Sequence, residues 1–151
     1  MAEALPNLLF VCIENSNRSQ MAEGFARRLG RGRVHVFSAG SRPSGQINPR
    51  AIEFMKEKDI DLALQHSKGL NDLPKIRWDW IVTMGCGEAC PTLPAQHRLD
   101  WELTDPRHLD DAGFRSVRDR IESLVTALVE EAAGTEMRSS APPVISKGTG
   151  S

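Results

Sequence analysis

The chain has 151 residues, of which 19 are basic and 20 are acidic, so its formal net charge at pH 7 is -1. This length suits one domain, and the charge pattern lacks the basic cluster typical of nucleic-acid binding. No apolar run approaches the roughly 18 residues of a membrane span, and the first residues do not resemble a secretion signal. We therefore expect a cytoplasmic protein that binds neither nucleic acid nor membranes. We also expect a monomer, although none of these features determines the oligomeric state.

The first predicted elements are a strand, a tight loop and a helix. Residues 7–11 form an apolar run typical of a buried strand, and residues 12–19 follow it directly. Beyond Ser19, apolar residues recur at intervals of three and four, which is the period of an amphipathic helix. These residues are Met21, Ala22, Phe25, Ala26 and Leu29.

Strands and helices alternate along the rest of the chain. Asn48 and Pro49 are typical of a helix start, and Ser67 is expected to cap a short helix that ends at Pro74. The last helix has the clearest apolar stripe, made by Phe114, Val117, Ile121, Leu124, Val125 and Leu128. Further strands are predicted at residues 34–40, 78–84 and 98–101. This alternation predicts an α/β fold with a parallel sheet covered on both faces.

The apolar pattern stops at Gly134, and the residues that follow are rich in serine, proline and glycine. Such composition is typical of a mobile terminus. We therefore predict a single catalytic domain over residues 1–133 and a flexible tail over residues 134–151.

The loop after the first strand has a cysteine at one end and an arginine at the other, Cys12 and Arg18. A helix N-terminus carries free N–H groups and a partial positive charge, so it binds oxyanions. Arg18 adds a planar fork of donors that matches two oxygens of phosphate, arsenate or sulfate. The same positive surroundings favour a Cys12 thiolate, and Ser19 is placed to donate its hydroxyl to the sulfur. The loop therefore predicts a thiolate nucleophile facing a tetrahedral oxyanion.

Two further groups follow later strands of the predicted sheet. Cys86 and Cys90 come after the third strand, and Asp105, braced by Pro106, follows the fourth. Because ligands of parallel sheets bind beyond the carboxyl ends of the strands, we expect these groups to meet Cys12 on one rim. Asp105 can act there as a general acid, although an Asp-Pro pair alone also suits a simple turn.

The role of Cys86 and Cys90 has three alternatives at this point. They can exchange disulfides, be buried as small apolar residues, or form half of a zinc site. Zinc needs two more ligands, and neither His66 nor His97 shows the paired spacing of such a site. Redox use is favoured, because three cysteines do not make a structural disulfide framework.

Together these motifs resemble the low-molecular-weight protein tyrosine phosphatase superfamily. Within it, the segment 83–91 and Asp100-Trp101 resemble arsenate reductases coupled to thioredoxin or a similar thiol donor. The resemblance implies a three-layer α/β sandwich with a four-stranded parallel sheet. The motifs that carry it are residues 12–24, Ser38-Ala39-Gly40, Asn48-Pro49, Ser67-Lys68 and Asp105-Pro106.

The resemblance also implies roles for individual residues. Cys12 would be the nucleophile, Arg18 the clamp on the oxyanion, Ser19 the support of the thiolate and Asp105 the acid. Asn15 would hold the shape of the loop. The substrate would be bound by loop residues Glu14, Asn15, Ser16, Asn17 and Arg18.

Two activities share the first step, attack of Cys12 on arsenic or phosphorus. A phosphatase would hydrolyse the phosphoenzyme with water, whereas an arsenate reductase would use Cys86 and then Cys90 in thiol-disulfide exchange. The chain has no tyrosine, and Arg107-His108 replace the aromatic residues that phosphatases of this superfamily carry after Asp-Pro. We therefore predict an arsenate reductase for which phosphate or sulfate is a substrate mimic. Phosphatase activity on phosphotyrosine or small monoesters is the alternative.

The predicted reductase needs no bound cofactor or metal, because thioredoxin or another thiol donor supplies the electrons. Some relatives use a potassium ion beside the site, bound partly by an acidic residue. Lys68 stands at about that place in this chain, and its ammonium group can occupy the position of the ion near Glu23 and Ser38. We therefore expect activity that does not depend on potassium.

Overall fold

The computed structural model of the chain describes residues 5–85 and 93–140, with side chains as far as residue 134. The two later cysteines, Cys86 and Cys90, lie outside the described residues, as does the segment 141–151.

Four parallel strands form one sheet in the spatial order β2-β1-β3-β4. They are β1 (Asn7–Cys12), β2 (His35–Gly40), β3 (Trp78–Thr83) and β4 (Ala95–Asp100). β1 lies inside the sheet and is buried along almost its whole length, which explains its continuous apolar sequence. The predicted α/β fold with a four-stranded parallel sheet is confirmed.

The edge strand β4 begins at Ala95, three positions before the predicted start at Arg98. Its residues after Ala95 are exposed. An exposed edge strand does not need apolar side chains, so the polar residues Gln96 and His97 gave no strand signal.

The helices are α1 (Arg18–Leu29), α2 (Pro49–Lys56) and α3 (Asp111–Ser140). α2 begins as predicted, with the side chain of Asn48 accepting the Arg50 N–H at 2.9 Å and Pro49 in the first helical position. α3 continues past Gly134 and ends at Ser140. The division into a domain and a flexible tail stays a prediction.

The larger core fills the space between the sheet and the helices. Phe10 and Val82 from the strands meet Phe25 of α1 and Phe114 and Ile121 of α3 there. A smaller core on the other face contains Leu9, Val11, Ala39, Trp78 and Ile81, covered by Leu70, Leu73 and Leu93. Neither 5–85 nor 93–140 contains a helix long and apolar enough to cross a membrane.

The prediction that Ser67 caps a short helix is wrong. The backbone makes a single 3-10 turn, Leu70–Asp72, and the Asp72 carboxylate accepts the N–H of Gly69 at 2.9 Å. Pro74 cannot donate the N–H that a longer helix needs. The Ser67 hydroxyl instead donates to the carbonyl of Glu14 at 3.1 Å and so ties this segment to the loop after β1.

Candidate active site

The Cys12 thiol lies at the carboxyl end of β1 and is only 2% exposed. Its Sγ is 2.8 Å from Ser19 Oγ and accepts the backbone N–H of Asn15 at 3.3 Å. Because α1 begins at Arg18, the free N–H groups of its first turn and the positive end of its dipole lie beside this thiol. These surroundings favour a bound oxyanion.

Asn15 determines which way the Ser19 hydroxyl points. The Asn15 Oδ1 accepts from the Lys68 backbone N–H at 2.9 Å, so its Nδ2 faces two hydroxyl groups. Nδ2 donates to Ser19 Oγ at 2.7 Å and to Ser38 Oγ at 3.0 Å. Since Ser19 Oγ accepts from Asn15, its own proton is free for the Cys12 sulfur. Asn15 has a φ of 53°, in the left-handed region, and these bonds offset that strain.

Behind Asn15 lies a buried charge, Glu23, whose side chain is 3% exposed. Its carboxylate accepts from Ser38 Oγ at 2.5 Å and lies 2.7 Å from Arg27 Nη2. Lys68 Nζ lies 3.3 Å from Glu23 Oε1 and 3.2 Å from Ser38 Oγ. The lysine ammonium therefore occupies the position that we expected for it.

Arg18 forms the other side of the site and is buried, with only 6% of its surface exposed. Its Nη1 donates to the Leu103 carbonyl at 3.1 Å, and its Nη2 is 3.7 Å from Asp105 Oδ2. Its Nε is buried and has no hydrogen-bond partner within the described residues, and the same is true of Asn17 Oδ1. A buried donor without a partner is costly, so a ligand oxygen is the natural partner for Nε. The Asn17 acceptor suits the hydroxyl of a protonated oxyanion.

Asp105 stands at the mouth of the site, about one third exposed. It precedes the 3-10 turn Pro106–His108, and its Oδ1 accepts the Arg107 N–H at 3.0 Å. The cavity between these groups has a volume of about 40 Å³. It is lined by Cys12, Ile13, Glu14, Ser16, Asn17, Arg18, Asp105 and Arg107. Asn15 and Ser19 lie behind this cavity, where they contact Cys12.

The chain also approaches this site where β3 leads towards the later cysteines. Gly85 has a φ of 76°, and a Cβ atom there would lie 2.5 Å from Arg18 Nη1. Only glycine fits so close to the guanidinium in this conformation. Gly85 is the covalent neighbour of Cys86, whose own position lies outside the described residues.

No three histidine, cysteine, aspartate or glutamate side chains within 5–85 and 93–134 lie close enough to hold a metal ion. His97 stacks on Trp80, with ring centroids 4.2 Å apart.

Arg107 is a charged residue of this site to which the sequence analysis assigned no binding role. Its Nη2 lies 3.1 Å from Glu14 Oε2 and 3.4 Å from Asp105 Oδ2. The signal that could have revealed it is Glu14 itself, because an acidic residue in an oxyanion loop needs a compensating cation.

The model of the low molecular weight phosphotyrosine protein phosphatase family matches residues 7–138. The chain belongs to this family. It is 36% identical over 128 residues to the glutaredoxin arsenate reductase of Synechocystis, covering 83% of this chain and 97% of that protein.

Solved structures give the same grouping. An arsenate reductase in its phosphate binding state is 35% identical, with a TM-score of 0.76 over 85% of this chain and 99% of that one. The thioredoxin-dependent arsenate reductase of Corynebacterium glutamicum is 29% identical, with a TM-score of 0.73 over 89% of this chain and 65% of that one.

Proposed function

We propose that this protein is an arsenate reductase that converts arsenate to arsenite with electrons from a thiol donor. The observation that carries the proposal is the small cavity lined by both Cys12 and Arg18, whose Nε has no hydrogen-bond partner within the described residues. This cavity suits a tetrahedral oxyanion. The likeness to arsenate reductases over most of the chain supports arsenate as that oxyanion.

In the first step the Cys12 thiolate attacks arsenic and forms a sulfur–arsenic bond. One arsenate oxygen leaves as water after Asp105, at the mouth of the cavity, has given it a proton. Arg18 and the first turn of α1 stabilise the negative charge of the remaining oxygens. Ser19 and Asn15 hold the sulfur in place during the attack.

In the second step the Cys86 thiolate attacks the Cys12 sulfur. The sulfur–arsenic bond breaks, its electron pair stays on arsenic, and As(V) leaves as arsenite while a Cys12–Cys86 disulfide forms. Cys90 then attacks Cys86, so that Cys12 is released as a thiolate and a Cys86–Cys90 disulfide remains. The position of Gly85 against Arg18 supports Cys86 as the first of these two cysteines to react.

A thiol donor closes the cycle by reducing the last disulfide, so electrons enter without a bound cofactor. Thioredoxin, glutaredoxin and a small thiol such as mycothiol are the candidate donors. The relatives described above include one named for glutaredoxin and one that depends on thioredoxin. The proposed chemistry requires a reducing compartment, which supports a cytoplasmic location. We also propose that the protein acts as a monomer, which size-exclusion chromatography would test.

The alternative activity is hydrolysis of phosphate monoesters, and the family to which the chain belongs favours it as a side activity. The small cavity at Cys12, called the cradle below, suits phosphate as well as arsenate. Para-nitrophenyl phosphate would therefore form a Cys12 phosphoenzyme that water hydrolyses. This reaction uses Cys12, Arg18 and Asp105 but not the two later cysteines.

One pair of assays tests the proposal. Arsenate reduction is followed by NADPH oxidation with thioredoxin, with glutaredoxin and glutathione, or with mycothiol, each with the NADPH-dependent disulfide reductase that regenerates that donor. Para-nitrophenyl phosphate hydrolysis is measured beside it. We expect Cys12→Ser to lose both activities, and Cys86→Ser and Cys90→Ser to lose only arsenate reduction. If the last two variants reduce arsenate as well as the parent, the three-cysteine relay is wrong.

A further inference from the structure

The mouth of the cradle carries an ion pair between Glu14 and Arg107, with Nη2 and Oε2 3.1 Å apart. Glu14 lies in the oxyanion loop itself, where a free carboxylate would repel an incoming anion. The pKa of Arg107 is raised, chiefly by Glu14 and then by Asp105. The pair therefore introduces no net charge at the mouth.

Glu14 and Arg107 also take part in the boundary between two cavities. One is the cradle of about 40 Å³, which has room for only a few water-sized groups. The other, of about 220 Å³, is lined on its far side by Ser44, Gln46, Ile47, Asn48 and Pro49. Four residues line both cavities, Glu14, Ser16, Asn17 and Arg107, and only Glu14 and Arg107 among them carry a charge. A substituent on a bound oxyanion that points to this side would have to pass these residues and their ion pair.

Arg50 of α2 holds the backbone of Arg107 in this position, and contacts with α3 hold Arg50. The Arg50 Nη1 of α2 donates to the Arg107 carbonyl at 3.3 Å. The Arg50 Nη2 lies 3.1 Å from Asp111 Oδ1 at the start of α3, and its guanidinium lies 4.8 Å from the Phe114 ring centroid. The Arg107 N–H donates to Asp105, and the Arg107 carbonyl accepts from Arg50, so both backbone polar groups of Arg107 are hydrogen-bonded.

From these contacts we infer that the Glu14–Arg107 pair determines substrate specificity. It walls the cradle off from the larger cavity and so admits inorganic tetrahedral oxyanions while hindering their esters. The inference rests on the proposed function, because it assumes that Cys12 attacks an oxyanion in this cradle. Beyond that function, the inference makes the Glu14–Arg107 ion pair the cause of a preference for arsenate over phosphate monoesters.

The test removes both charges at once in the double variant Glu14→Ala/Arg107→Ala, which keeps the net charge. Two quantities are measured: kcat/KM for para-nitrophenyl phosphate, and the inhibition constant Ki of inorganic phosphate in the same assay. We expect the ratio of kcat/KM for the ester to the affinity for inorganic phosphate to rise at least about tenfold. The matched control is Arg33→Ala/Glu130→Ala, which removes an exposed ion pair of the same length far from the cradle.

The single variants separate a wall from a simple charge effect. Arg107→Ala leaves the Glu14 carboxylate uncompensated and should weaken phosphate binding several-fold, whereas Glu14→Ala frees Arg107 and should tighten it. The double variant keeps the net charge, so a gain in its ester hydrolysis cannot come from a change in charge. Glu14→Ser/Arg107→Ser also shortens both side chains and removes the ion pair, and it replaces the alanine variant if circular dichroism shows that the latter is unfolded.

An unchanged ratio in a folded double variant would overturn the inference, and so would a parallel fall of ester hydrolysis and phosphate affinity. Both readouts use Cys12 and the cradle but need neither arsenate nor a thiol donor. A failure of the parent to reduce arsenate would therefore count against the proposed function and leave the specificity result intact.

Discussion

Replacing Lys68 by alanine tests the buried charge network behind the oxyanion loop. Lys68 Nζ lies 3.3 Å from the Glu23 carboxylate, and the two side chains are 15% and 3% exposed. At an effective dielectric constant of about 20, two unit charges at this distance attract by about 5 kcal/mol, which is an upper bound on the loss. In the variant Glu23 keeps its contacts with Arg27 and Ser38, and the cost of desolvating the Lys68 ammonium on folding disappears. We therefore expect the free energy of unfolding to fall by about 2 kcal/mol.

Urea unfolding measures this loss in potassium, sodium and choline chloride at equal ionic strength. The parent should show no preference for potassium, because the ammonium already compensates Glu23. Lys68→Ala should regain part of its stability, and of its turnover, when potassium replaces choline. The matched control is Lys58→Ala, which removes a lysine paired with Asp119 and Glu122 on the surface. A large potassium-specific gain in the turnover of the parent would refute the argument, as would an unchanged stability of Lys68→Ala.

Three further predictions concern the loop and the contact between α2 and α3. Ser19→Ala removes the hydroxyl 2.8 Å from the Cys12 sulfur, so iodoacetamide should alkylate Cys12 about tenfold more slowly at neutral pH in a background without the other two cysteines. Asn15→Ala should lower kcat/KM for para-nitrophenyl phosphate by about 10- to 100-fold, because it removes the side-chain hydrogen bonds that shape the loop. Asn15→Gly relieves the backbone strain but should lower kcat/KM by as much. A kcat/KM near that of the parent in the glycine variant would mean that the side-chain bonds do not matter. Hydrogen bonds from Arg115, and then from Arg118, lower the pKa of Glu57 from 4.5 to about 2, so its stabilising effect is present above pH 4.5 and is lost as the pH falls through 2. Glu57→Gln should therefore be less stable than the parent at about pH 6 and nearly equal to it at about pH 2, as measured by urea unfolding, and a constant difference would contradict this.

The elements with regular patterns could be predicted from the sequence. β1 has a continuous apolar run, and α1 and α3 have apolar residues at helical spacing. The expected parallel topology placed Cys12 and Asp105 at the same edge of the sheet. The edge strand β4 was only partly predicted because its exposed residues carry no apolar signal. Ser67 was misassigned because a serine oxygen suits a loop contact as well as a helix cap.

The contact between Glu14 and Arg107 could not be predicted by local rules. The two residues are 93 positions apart, and their contact depends on how the turn after β4 faces the loop after β1. The link from Lys68 to Glu23 was foreseen only through the family resemblance. Spacing and propensity describe single elements, whereas these ion pairs depend on how separate loops pack together.

The three-cysteine relay is tested most directly by a single turnover with arsenate and no thiol donor. Arsenite release is quantified, and disulfides are mapped by mass spectrometry of proteolytic peptides. For the parent we predict one arsenite per protein and a Cys86–Cys90 disulfide, and for Cys90→Ser one arsenite and a trapped Cys12–Cys86 disulfide. Cys86→Ser should release no arsenite. Arsenite release without any new disulfide, or release by Cys86→Ser equal to that of the parent, would contradict the account.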